Sequence, residues 1–142
     1  MIKLPKPGRV ISKPICKLYT ARLGYRESDK LILDTTIKSG KGLGKLLAPT
    51  WELVMPSRRG QITWDEYIAG YTQLMQDRFK AAPEAYNSLF ARPSIVLCCY
   101  CQDTSHTTRH CHRYLIRDIF APLVNVTLID AGELFNPVYT KD

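Results

Sequence analysis

The side chains most capable of chemistry crowd into positions 98–113: Cys98-Cys99-Tyr100-Cys101, then His106, then His110-Cys111-His112-Arg113. Thiolates and imidazoles are the ligands zinc prefers, so Cys101, His106, His110 and Cys111 form one candidate metal set. Cys98 and Cys101 have C-x-x-C spacing, but on a strand Cys99 and Cys101 share one face while Cys98 points the other way. The same residues also suit a reactive thiol or an anion site. Cys101 falls where a strand should end, and Cys111-His112-Arg113 falls where a helix should begin. Free amides at a helix start, together with the charge of Arg113, would lower a thiol pKa or hold an anion. His112 would then act as general acid or base near neutral pH. Cys16, Cys98 and Cys99 lie in apolar runs and read as small core residues.

These residues need elements to position them. The stretch 94–100, Ser-Ile-Val-Leu-Cys-Cys-Tyr, is a continuous apolar run of the kind found in strands buried on both faces. Segments 15–21 and 31–36 suit two earlier strands, and 124–129 suits a last one closing at Asp130-Ala131-Gly132. Thr63-Trp64-Asp65-Glu66 fits a capping box. Behind it Trp64, Tyr67, Ile68, Tyr71, Leu74, Met75 and Phe79 recur at three- and four-residue steps, which predicts a helix ending near Lys80. Pro83 opens a second helix, closed by Arg92-Pro93. Residues 48–54 suit a short helix, and 111–121 suit a helix with Leu115, Ile116, Ile119 and Phe120 inward.

The order β-β-α-α-β-α-β predicts an α/β domain with a mainly parallel sheet, three-layer-like and Rossmann-like. Its limits are residues 14–135, with an extended basic arm over 1–13 and a short tail over 136–142. Ligands in such folds bind beyond the carboxyl ends of the strands. Those ends carry Thr20, Asp34, Thr36, Cys101 and Asp130. Asp34 is a candidate catalytic residue beside Cys101, Cys111, His112 and Arg113, and Thr20 and Thr36 are candidate binding residues. Lys38, Ser39 and Lys41 join them if the loop that follows covers a substrate. That loop, Gly40-Lys41-Gly42-Leu43-Gly44-Lys45-Leu46, is one residue short of a phosphate-binding loop and has Leu46 where Ser or Thr would hold magnesium. A plain surface loop is the competing reading.

The chain has 142 residues, 45% hydrophobic and 23% charged, which excludes a disordered chain or a coiled coil. Its net charge is +7, and residues 1–62 hold 13 Lys/Arg against 4 Asp/Glu. A basic surplus in one half suits an anionic partner, such as a nucleotide, DNA or RNA, or else a solvated basic face. Five cysteines, an odd number, with no apolar leader argue against a disulfide framework and for the cytoplasm. No run approaches the ~20 apolar residues that span a bilayer, so no membrane role is expected.

The blocks Leu33-Asp34-Thr35-Thr36-Ile37-Lys38-Ser39-Gly40, Ala48-Pro49-Thr50-Trp51-Glu52-Leu53-Val54, Trp64-Asp65-Glu66-Tyr67, and Val96-Leu97-Cys98-Cys99-Tyr100-Cys101 with Cys111-His112-Arg113 resemble the domain-of-unknown-function 488 family. The likeness is to the short versions of bacteria and their phages and covers roughly residues 15–133. It implies an α/β fold with the Cys-His-Arg turn at a candidate active site, and it implies no particular reaction. The loop from Gln102 to His110 is richer in His and Thr than the family's usual turn. Two functions follow as alternatives. One is an enzyme acting on a nucleotide or nucleic acid through the Cys/His/Arg site. The other is a non-catalytic basic binding module with a structural zinc site.

Overall fold

The computed structural model describes residues 13–22, 24–37, 42–99 and 111–135. Four strands form one all-parallel sheet in the order β2-β3-β1-β4. They are β1 (Ile15–Arg22), β2 (Leu31–Asp34), β3 (Ser94–Cys99) and β4 (Thr127–Leu134). Between them lie α1 (Trp51–Arg58), α2 (Trp64–Ala81), α3 (Pro83–Leu89) and α4 (Ile116–Phe120), with 3-10 turns at Gly42–Leu47 and His112–Tyr114. The expected Rossmann-like α/β architecture is what the chain adopts. No helix among the described residues is long and apolar enough to cross a membrane.

The two-residue alternation of strands sorts the sheet into two faces. Cys16 and Leu18 of β1, Ile95 and Leu97 of β3, Leu33 of β2 and Leu128 of β4 join the large core built by the helices. Ala21, Val96 and Cys98 point the other way, into a small cluster closed by Tyr19, Tyr25, Ile32 and Leu134. From the described residues of the β1–β2 connection only Tyr25 packs against that cluster. There Tyr25 donates to Glu27 at 2.6 Å and Lys30 sits 5.2 Å from the Tyr19 ring centre.

The main core rests on α2. Thr63 Oγ1 accepts from the Glu66 amide at 3.0 Å, and Glu66 Oε1 accepts from the Thr63 amide at 2.7 Å, the reciprocal cap read from the sequence. Its inward stripe buries Tyr67, Tyr71 and Met75, each worth roughly 1.5–3 kcal/mol of burial. Tyr71 and Tyr86 also carry hydroxyls that need partners. They donate to the Leu47 and Leu46 carbonyls at 2.6 and 2.7 Å. Arg78 adds a bond of 2.7 Å to the Ala48 carbonyl. These three side chains fasten the end of the Gly/Lys segment, which is a 3-10 turn from Gly42 onward and not a plain loop. Lys38, Ser39 and Lys41 lie outside the described residues.

β2 ends at Asp34, leaving Thr35 and Thr36 past the strand expected over 31–36, and three further elements differ from the sequence reading. The expected helix over 111–121 divides at Leu115 into a 3-10 turn and the five-residue α4. The short helix expected over 48–54 runs from Trp51 to Arg58. The last strand begins at Thr127 and does not close at Asp130-Ala131-Gly132 but runs on to Leu134. Its register explains how. Leu18 pairs with Asp130, then Tyr19 pairs with Gly132, so Ala131 is an extra residue forming a bulge. Gly132 has φ 99°, a region costly for any side chain, and its amide donates to Asp130 Oδ1 at 3.2 Å. Asp130 is therefore an exposed bulge residue and not a strand-end site residue. The bulge also switches the strand's parity. Leu128 faces the helices, but beyond the bulge Glu133 takes that face and Leu134 takes the other.

Two outcomes follow from this packing. A Cβ on Gly44 would stand 2.0 Å from the Asp34 carbonyl oxygen, so Gly44→Ala is expected to lower stability by about 1–3 kcal/mol in urea unfolding. Burial pushes the Cys16 thiol up from 9.0 to about 11. Below pH 9 the thiol is neutral in both states. Between about 9 and 11 the unfolded thiol ionises first, so its contribution to stability falls as pH rises. Urea midpoints of the native chain should then drop more steeply over that interval than those of Cys16→Ala; equal slopes would contradict the burial effect.

Candidate active site

The 3-10 turn His112–Tyr114 connects with the carboxyl-end residues of the strands, and its consecutive side chains reach opposite halves of the sheet. His112 goes toward β2 and β3. Its Nε2 lies 2.9 Å from Thr35 Oγ1 and 3.0 Å from the Thr35 carbonyl oxygen. The carbonyl can only accept. The Thr35 hydroxyl already donates to the Cys98 carbonyl at 2.9 Å, so it also accepts from the ring. Both partners therefore require the proton on Nε2. In the neutral imidazole Nδ1 is left as the acceptor, and it lies 3.9 Å from Cys111 Sγ. Cys111 and His112 are both buried, at 3% and 6% exposure. The Tyr71 ring leans on the imidazole at 5.5 Å. Burial first, then the neighbouring Tyr67 and Cys111, holds the Tyr71 hydroxyl well above its ordinary pKa, so it remains a neutral donor to Leu47.

Arg113 goes the other way, toward β1 and β4. Its Nη1 donates to the Ala21 carbonyl at 3.0 Å, and Nη2 donates to the Tyr114 hydroxyl at 2.8 Å and to Glu133 Oε2 at 3.4 Å. Tyr114 in turn donates to Glu133 Oε1 at 3.2 Å, and Thr20 Oγ1 donates to the same oxygen. The Arg113 side chain is fully buried and that of Glu133 is 14% exposed. Burial raises the Tyr114 pKa against the opposing pull of Arg113, so this hydroxyl stays protonated as well. A charge pair this deep depends on the hydrogen bonds around it; removing one partner typically costs about 3–5 kcal/mol.

Residues 15–122 match the family model described as the active DUF488-N3 subclade. The chain belongs to the DUF488 family. No curated protein and no solved structure matches it. The DUF488 match contains the Cys-His-Arg turn, Thr35 and Thr20, whereas β4 with Glu133 lies past its end.

Of the residues singled out in the sequence, Cys111, His112, Arg113 and Thr20 meet within these two linked networks. Asp34 and Thr36 form a local turn: Asp34 Oδ1 accepts from the Thr36 amide at 3.0 Å and from its hydroxyl at 2.6 Å. Cys101, His106 and His110 lie outside the described residues, so of the expected zinc set only Cys111 has a described position. Among the described residues no group of three or more His, Cys, Asp or Glu is placed to hold a metal ion. The amides of Tyr114 and Leu115 close onto the Cys111 and His112 carbonyls at 3.0 and 2.9 Å, and Arg113 bonds to protein acceptors. Sequence reasoning missed Thr35, Tyr114 and Glu133. Thr35 follows the last residue of β2, so strand parity does not govern it. Glu133 is concealed by the bulge, for which Gly132 inside a strand pattern was the available signal.

The tautomer is directly observable. Nitrogen-15 NMR at pH 7 is expected to show His112 with the proton on Nε2. Thr35→Val removes a hydroxyl bonded on both sides and should cost about 1–3 kcal/mol of stability. A proton on Nδ1 would contradict the assignment.

Proposed function

We propose that this DUF488 protein is a thiol enzyme acting on a nucleotide or nucleic acid, with Cys111 as the nucleophile and His112 as its base. The observation that carries the reading is the Nδ1 lone pair directed at Cys111 Sγ, held there because Nε2–H is committed to Thr35. Proton transfer from Sγ to Nδ1 gives a thiolate and an imidazolium. The thiolate can attack an electrophilic centre, and the imidazolium can return the proton to a leaving group. The subclade's description as active accords with this pair. The choice of ligand rests on charge. The 13 basic residues among positions 1–62, against 4 acidic ones, favour a phosphate-bearing partner.

Alkylation by iodoacetamide at pH 7, followed by mass spectrometry, tests the pair. Because Cys111 is buried, the informative quantity is the dependence of its alkylation on His112: His112→Gln should slow it roughly tenfold or more. Binding to single-stranded DNA, RNA and nucleotides is expected to weaken steeply between 50 and 200 mM salt, as about 6–10 phosphate contacts would require. A Cys111 whose alkylation is indifferent to His112→Gln would overturn the reading. So would one zinc per chain held by Cys111, which would favour the structural-metal alternative.

A further inference from the structure

We infer that Glu133 is a positioning residue for the Cys111–His112 pair, acting through Arg113. This deepens the thiol-enzyme reading and rests on it for its functional meaning. The turn Cys111-His112-Arg113 is anchored at two points by side chains that leave it in opposite directions. One anchor is His112 Nε2 on Thr35, at the β2/β3 half of the sheet. The other is Arg113 on Ala21, Tyr114 and Glu133, at the β1/β4 half. A three-residue 3-10 turn followed by a five-residue helix has little rigidity of its own. Rotation of the turn is therefore governed by its two anchors.

Glu133 is the member of the second anchor that supplies charge, and three donors converge on it: Thr20, Tyr114 and Arg113. It reaches them only because the Ala131 bulge turns it toward the helical face. Its strand lies beyond residues 15–122, the extent of the family match. The chain thus places on β4 a carboxylate that fixes Arg113, and through the turn fixes the imidazole next to it. The effect of Glu133 on His112 and Cys111 runs through Arg113 and the turn that carries all three.

The test uses the full chain and two readouts that packing alone would not move: the nitrogen-15 tautomer signature of His112 and the alkylation rate of Cys111 at pH 7. Glu133→Gln keeps the side-chain length and removes the charge. It is expected to retain the native circular dichroism spectrum, to replace the single Nε2–H signature with a mixture of tautomers, and to slow Cys111 alkylation roughly tenfold, toward the His112→Gln rate. Thr20→Val removes one donor to Glu133 while keeping shape and the ion pair. It should move both readouts the same way by a smaller factor, and it serves as the test if Glu133→Gln does not fold. A folded variant of either kind with the native tautomer and alkylation rate overturns the inference. Failure of the thiol-enzyme reading looks different: alkylation in the native chain would then be indifferent to His112→Gln, whatever Glu133 does.

Discussion

A guanidinium taken wholly out of water must find acceptors for its donors and a counter-charge for itself, and in this chain that demand falls on Arg113. The Ala21 carbonyl is available because β1 is central and its end is open toward the turn. The counter-charge has to come from the neighbouring strand, and Glu133 supplies it. Around that pair lie the extended β4, the bulge at Ala131 that turns Glu133 inward, and the protonated Tyr114 hydroxyl between the two charges.

The histidine half of the turn obeys a second, smaller rule. A buried imidazole with one nitrogen bonded to a carbonyl has its tautomer decided for it. Thr35 makes that decision firm, since its hydroxyl proton goes to Cys98 and its carbonyl has none to give. The core behind the site holds these groups in place. Tyr71 packs on the imidazole while bonding the Leu47 carbonyl, which couples the long helix α2, the Gly44 contact with β2 and the ring of His112 into one packed body.

Much of this was legible in the residues. The capping box at Thr63, the aromatic stripe of α2, the apolar run of β3 and the Pro83 start of α3 are local signals, each set by a few neighbouring side chains. The Cys-His-Arg turn was legible for a similar reason, because reactive and charged residues are out of place where an apolar strand gives way to a helix. Thr20 was placed correctly at a strand end, though its partner there was not foreseen.

What the sequence by itself determined was the parallel α/β class and the location of the Cys111-His112-Arg113 turn, both consequences of short-range periodicity and residue chemistry. Only the tertiary structure decided which groups those residues face. Thr35 meets His112 across 77 positions, and Glu133 meets Thr20 across 113. The second meeting depends on one inserted residue that reverses the faces of β4. Strand parity is counted from register, and register is a property of two chain segments together, so no inspection of either segment alone could assign Glu133 to the site.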